Sequence, residues 1–264
     1  MKLWAPYEPL TPTQRRLLAL GSFATVLGVW LLVSLLDLVS SNKLPSPLEV
    51  AQAFGYLSWN GETSMLLKAT LASLSRIALA AALVNAIGIP IGVLMGSSPT
   101  INSILSPLVD PFRSAPVVAL LPILVMWLGI GEEMKVSFLF IGAVVYLIPM
   151  VRDAVVAVPY SYWESAKDLG ATDFECITRG VLPIALPRIA DAMIVAVSVM
   201  WTYITVAEYV NADSGLGQLI QNARRFSAMD QVFVGIIVII AMALVTYQLM
   251  TYAKRKLFFW ETQQ

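Results

Sequence analysis

Residues 164–183 read ESAKDLGATDFECITRGVLP. This is the longest polar stretch between hydrophobic segments, and its punctuation is helical. Ser161 and Glu164 have the spacing of a capping box, and so do Thr172 and Glu175. Gly170 falls where a first short helix should stop, because glycine takes the left-handed conformation past a helix end at least cost. The local expectation is a short helix, a glycine turn and a second short helix. A Leu182-Pro183 step then leads into the next hydrophobic segment. On these residues alone the stretch is a helical elbow on the aqueous side of a membrane protein, and an amphipathic connector accounts for it.

The composition explains why a membrane is invoked. Of 264 residues 58% are hydrophobic and 13% charged, and the mean hydropathy is +0.76. Soluble domains carry about 25% charged residues, so most of this chain belongs in lipid. Lys+Arg and Asp+Glu are 17 each, which leaves no net basic field for nucleic acid. There is no histidine, which excludes a Ser-His-Asp triad and His-ligated haem. Cys176 is the single cysteine, so neither an internal disulfide nor a Cys-x-x-Cys site can form. It reads as a packing residue. No Gly-x-x-x-x-Gly-Lys-Ser/Thr run is present to cradle a nucleotide.

The hydrophobic pattern predicts an all-α, polytopic membrane protein of about six spans in one domain, 1–264. The expected spans are about 17–39, 73–95, 115–130, 135–151, 187–210 and 231–250. The first is too long for a signal-peptide core and reads as retained. A short interfacial helix is expected at 48–56, with Pro47 at its first position. Residues 97–114 read as a Ser- and Pro-rich connector, and the third span is broken by Pro116 and Pro122. The stretch with Asp213, Gly215, Gly217, Arg224 and Arg225 reads as a polar loop. Trp260 is an interface-anchor candidate. Gly88, Gly92 and Gly96 give two overlapping Gly-x-x-x-Gly spacings, which predict close helix packing.

Six spans place both termini on one side, and basic residues decide which. With the N-terminus inside, the inner segments hold Lys2, Arg15, Arg16, Arg113, Arg152, Lys167, Arg179, Arg188, Lys254, Arg255 and Lys256. The outer ones hold Lys43, Lys68, Arg76, Lys135, Arg224 and Arg225. The split of the 17 is 11 in and 6 out, so the elbow is expected in the cytoplasm, as are both termini.

In the fifth span Asp191, Ser198, Thr202 and Thr205 fall on one narrow face at 100° per residue, flanked by Trp201 and Glu208. Two readings are open for the hydroxyls: helix–helix glue, or the wall of a passage. A carboxylate within a span turns to a partner or to water. Glu208 is therefore expected either to line a cavity or to pair with Arg76 at the outer start of the second span. Arg113 is expected to pair with an inner-loop carboxylate.

The elbow resembles the EAA loop of permease subunits of ATP-binding-cassette (ABC) importers. Glu164, Ala166, Gly170, Leu182 and Pro183 sit in the matching places. Ser165 replaces the middle alanine, and Gly180 stands where an aliphatic residue is usual. Further stretches resemble the nitrate, sulfonate, taurine and bicarbonate branch. They are Lys43-Leu44-Pro45-Ser46-Pro47, Ser73-Leu74-Ser75-Arg76, Gly88-Ile89-Pro90-Ile91-Gly92, Leu121-Pro122-Ile123 through Trp127-Leu128-Gly129-Ile130-Gly131-Glu132, and Ala207-Glu208 ahead of Gly215-Leu216-Gly217. Their order along the chain carries the likeness.

The resemblance implies a non-enzymatic permease of the bacterial cytoplasmic membrane that moves a small anion or sulfonate-like solute by alternating access. Two copies, or two related permeases, would form the pore. Cytoplasmic ABC ATPase subunits, which bind the ATP and Mg, would grip the elbow, and an external solute-binding protein would deliver the solute. It assigns ATPase coupling to Glu164, Ser165, Ala166, Gly170, Leu182 and Pro183, and it implies no cofactor in this chain. Arg76, Ser198, Trp201, Thr202, Thr205 and Glu208 are candidates for the translocation path. The alternatives are an ion-coupled secondary transporter, which would want carboxylates in mid-span, or a membrane enzyme, for which no nucleophile–base cluster is visible.

Overall fold

The computed structural model describes residues 10–59, 64–210 and 213–260. Lys2, counted above among the inner cations, lies outside them. Among the described residues the regular elements are all helical. Five helices are long and apolar enough to cross a membrane. They are α1 (Pro12–Leu35), α3 (Met65–Ser97), α6 (Glu132–Val156), the continuous stretch Asp173–Tyr209, and α11 (Met229–Leu257). α2 (Pro47–Ser58) is the short helix expected near 48–56, and it starts on a capping box in which Ser46 and Glu49 satisfy each other's backbone N–H groups.

The expected third span takes another form. The connector at 97–114 is helical, made of α4 (Pro99–Val109) and a 3-10 turn Asp110–Arg113. It meets Val117–Leu128, which includes α5 (Leu121–Leu128), at a bend of 95°. Pro116 keeps Ala115 out of the helical region and removes one donor, so the chain turns there rather than crossing straight. By sequence this stretch reads only as a Ser- and Pro-rich connector, without a helix. Pro99 lies in the first turn, where no N–H is needed.

α6 is the axis of the bundle. About 67% of its apolar window is buried, against 0% for α1 at the periphery. The glycine stripe of α3 makes the main contact. A Cβ on Gly92 would lie 2.6 Å from Val151 Cβ, and one on Gly96 2.6 Å from Val155 Cβ. The two backbones therefore meet as the spacing predicts. On the other side of α6, Gly142 accommodates the ring of Tyr203, 2.7 Å from where its Cβ would be. Trp30 holds α1 to the bundle by stacking on Phe233 at 5.8 Å and donating to Pro45 O at 3.0 Å.

Candidate functional site: the elbow and the buried charge knot

The elbow begins with α7 (Tyr160–Asp168). Its N-cap is Pro159 with no side-chain cap, so Ser161 and Glu164 lie inside the helix and form no capping box. Instead Ser165 Oγ donates to Ser161 O at 2.8 Å. The helix stops as Gly170 requires. Gly170 has φ +86°, its N–H donates to Lys167 O, and that of Ala171 donates to Ala166 O. These two bonds are a Schellman closure. Lys167 reaches across the turn to Asp173.

The second arm, α8 (Asp173–Glu175), starts on the predicted box of Thr172 and Glu175. No Leu-Pro step follows it. A π-helical segment, Cys176–Val181, runs straight into α9 (Leu182–Tyr209). Pro183 has no N–H for the helical bond to Arg179 O, and its ring crowds that carbonyl. Widening the preceding turn relieves the clash without breaking the helix. Leu182 and Pro183 therefore lie within one continuous helical stretch, Asp173–Tyr209. Gly180 packs toward α7: an added Cβ would meet Ala166 Cβ at 3.7 Å, an ordinary contact. Cys176 is buried. The elbow's tip is apolar and open, with Leu169 89% and Phe174 73% exposed.

At the opposite end of the bundle the candidate path residues divide into two groups. Arg76 and Glu208 are buried and joined. Arg76 Nη1 donates to Glu208 Oε1 at 2.6 Å and to Ser214 O at 2.7 Å. Its Nε and Nη2 grip Glu132 at 2.6 and 2.7 Å. Such bidentate charge-assisted bonds are the stronger kind. Glu132 also accepts from Lys135 at 3.0 Å. The Glu208 carboxylate accepts from Ser73 Oγ at 2.8 Å and from Gly217 N at 2.7 Å. Ser73 Oγ in turn accepts from Leu216 N at 2.9 Å. Two guanidinium and ammonium charges thus face two carboxylates, and the polar atoms of Glu208 are met on every side.

Gly217 N–H belongs to the first turn of α10 (Leu216–Arg225), where free N–H groups favour an anion. The region expected as a polar loop is therefore this helix. Gly215 and Gly217 are what let it approach. Gly215 has φ +138° and a Cβ there would run into the Glu208 carboxylate, while one on Gly217 would lie 2.8 Å from Thr205 O. Of the two expectations for Glu208, the structure shows the pair with Arg76. Glu132, Ser73, Lys135 and Gly217 were not among the candidate path residues. All but Lys135 lie in the short motifs quoted above, which the fold draws to one point.

Ser198, Trp201, Thr202 and Thr205 form the second group. With Ile239, Ala243 and Tyr247 of α11 they line a groove of about 590 Å³. Ser198 and Thr202 donate back to their own helix at 2.8 and 2.7 Å, and Trp201 Nε1 donates to Thr246 Oγ1 at 2.9 Å. Glu208, 60° round the helix from Thr205, is not in the lining of this groove; its carboxylate is taken up by Arg76, Ser73 and Gly217 N. Asp191 lies further down and pairs with Lys254 at 2.8 Å. Arg113 makes no ion pair among the described residues; Arg152 takes Asp110 instead, at 3.1 Å. The 3-10 turn leaves Arg113 exposed at the bend.

A helical membrane bundle with an apolar-tipped elbow joined rigidly to one span is the architecture of a transporter's membrane subunit. The sequence matches the family described as "Binding-protein-dependent transport system inner membrane component" over residues 88–259. It is 35% identical over 231 residues to the taurine transport system permease protein TauC of Escherichia coli (strain K12), covering 86% of this chain and 83% of that protein. It is 25% identical over 241 residues to the bicarbonate transport system permease protein CmpB of Synechococcus elongatus, covering 88% and 87%. The fold is similar to that of the inward-facing MetNI methionine ABC transporter, with TM-score 0.62 at 20% identity over 73% of this chain and 94% of that one.

The chain belongs to this family of inner membrane components, within the nitrate, sulfonate, taurine and bicarbonate branch of ABC importer permeases. It is a multi-pass transport permease, which sets aside the secondary-transporter and membrane-enzyme alternatives.

Proposed function

We propose that this permease moves a small organic sulfonate or comparable anion inward, driven by ATP hydrolysis in a separate subunit that docks on the elbow. The observation that carries the docking is the elbow's tip. Leu169 and Phe174 are 89% and 73% exposed on a polar projection, and large apolar side chains held in water this way mark a protein contact. Glu164, Ser165, Ala166 and Gly170 shape the arm beneath them. Leu182 and Pro183 transmit its movement, as members of the rod that continues into α9.

The orientation supports this reading. Of the six cations counted as outer, Arg76 and Lys135 are consumed in buried pairs with Glu132 and Glu208. Inner cations are paired as well, Arg152 with Asp110, Lys167 with Asp173, Arg179 with Glu175 and Lys254 with Asp191, so the bias rests on the split of 11 inner to 6 outer basic residues. The elbow and both termini are cytoplasmic on this count. The groove beside Ser198, Trp201, Thr202 and Thr205 is where a second permease, a copy or a relative, closes the passage. An external binding protein presents solute at the α10 end. ATP and Mg reside in the ATPase partner, and this chain carries no cofactor. The taurine and bicarbonate specificities of the relatives support a small anionic or zwitterionic solute.

The test is reconstitution with the ATPase and binding protein, followed by a screen of taurine, alkanesulfonates, bicarbonate and nitrate for stimulated ATP hydrolysis. Stimulation by a sulfonate is expected. Uptake that persists after ATP depletion with ion gradients intact refutes it.

A further inference from the structure

Between the elbow and the base of α9 lies a cavity of about 580 Å³, within the range of about 300–1,000 Å³ typical of ligand sites. Its wall takes in Val158 and Pro159 from the end of α6, Tyr162 of α7, Pro187 and Arg188 of α9, and Trp260 of the tail. Three of its lining side chains are polar: Tyr162, Arg188 and Trp260. The rest are Ala, Val, Ile and Pro. Each of the three polar side chains offers a hydrogen-bond donor, and no carboxylate, side-chain amide or imidazole lines the wall.

Among the described residues Arg188 makes no ion pair or side-chain hydrogen bond, and neither the Tyr162 hydroxyl nor the Trp260 indole N–H is engaged. The acids closest in sequence to Arg188 and Ala154 are held elsewhere. Asp191 pairs with Lys254 at 2.8 Å and Asp153 with Arg152 at 3.0 Å. The guanidinium thus stands at a largely apolar wall without a counter-charge among the described residues.

We propose that this cavity is a binding site for a small oxyanion, a sulfonate, sulfate or phosphate group, held by Arg188 with Tyr162 and Trp260. A planar guanidinium suits such oxygens bidentately. The group reaches the site either as a free anion or as the headgroup of an anionic lipid, since basic pockets at helix ends take both. An occupant would bridge α7, α9 and the tail. Resting on the coupling reading above, it would restrain the elbow and slow ATP hydrolysis.

The experiment uses the full chain. In detergent, sodium sulfate and sodium methanesulfonate are titrated against sodium chloride at equal ionic strength, with thermal unfolding as readout. Wild type is expected to gain a few degrees saturably. Arg188→Gln should lose affinity about tenfold, the loss of a charged hydrogen bond. Trp260→Phe, which keeps the ring and removes the donor, should lose less, and Arg113→Gln, an exposed arginine outside the cavity, nothing. In nanodiscs, phosphatidylcholine alone is compared with phosphatidylcholine plus phosphatidylglycerol. Arg188-dependent protection by phosphatidylglycerol identifies the lipid as the source; protection by sulfate in phosphatidylcholine alone identifies the free anion. Equal responses of wild type and Arg188→Gln in both arms overturn the site. Saturable binding that leaves ATP hydrolysis by the assembled transporter unchanged overturns the restraint on the elbow and leaves the site standing.

Discussion

Arg76 Nη1 lies 2.6 Å from Glu208 Oε1, although the two residues are 132 apart in sequence and stand on different membrane helices. The pair ties α3 to α9, and Glu132 adds α6 to the tie. α10 is bound to the same carboxylate through Gly217 N. Four helices therefore share one electrostatic joint at one end of the bundle.

Removing one partner of a buried pair leaves the other charge uncompensated, at a cost of about 3–5 kcal/mol. Glu208→Ala should therefore lower the stability of the detergent-solubilised protein by about that amount, and Arg76→Ala similarly. The double variant should lose much less than the sum, because neither charge is then stranded. Additive losses measured in this cycle would show that Arg76 and Glu208 are not energetically coupled.

The α3–α6 seam predicts a graded series. At Gly88 the nearest neighbour of an added Cβ is Leu147 Cδ2 at 2.9 Å, the far end of a flexible side chain. At Gly92 and Gly96 backbone carbonyls of Ile148 and Arg152 lie at 2.8 Å, and these cannot move aside. Gly88→Ala should cost under about 1 kcal/mol, and Gly92→Ala and Gly96→Ala about 1–3 kcal/mol each. Thermal unfolding gives the order, and equal shifts at all three positions would contradict it.

Gly170 has φ +86°, and nothing lies within 4 Å of an added Cβ, so a side chain there meets strain rather than a clash. Gly170→Asp costs about 1–2 kcal/mol locally and should loosen the α7 stop while leaving the bundle inserted. ATP hydrolysis by the assembled transporter should then continue with uptake lost. Normal uptake by this variant would remove Gly170 from the coupling path. Leu169→Asp and Phe174→Asp should weaken ATPase co-purification at least tenfold without changing the bundle's unfolding temperature.

Cys176 is 0% exposed, so the native chain should react little with membrane-impermeant maleimides. In that quiet background Leu169→Cys should be labelled only from the cytosolic side, and Phe226→Cys, 84% exposed in the native residue, only from the outer side. Labelling of the elbow from outside would invert the whole arrangement.

Much of the fold was legible because its signals are local. Apolar runs long enough for lipid located five of the crossings within a few residues to a turn or two at each end. Pro47 and the box of Thr172 with Glu175 marked helix starts, and Gly170 marked a stop, while the spacing of Ser161 and Glu164 formed no box. The glycine stripe of α3 announced a close neighbour. The local signals misled at 97–114, which read as a Ser- and Pro-rich connector, at Leu182-Pro183, which read as a step between segments, and at α10, which read as a polar loop. A proline in a first turn, or after a widened turn, leaves a helix intact, and an amphipathic helix lying against the bundle is polar on its free face.

Helix lengths, caps, class and the elbow's outline came from residues within a few positions of one another, because backbone hydrogen bonds in a helix span only four residues. Which of its neighbours the stripe on α3 would meet, that Glu208 would turn from Thr205 toward Arg76, and that Arg188 would face a wall without acids were settled by packing. Those choices depend on side chains brought together from as much as 135 residues away, as Ser73 is to Glu208. In lipid a charge is stable only where the assembled helices surround it with partners.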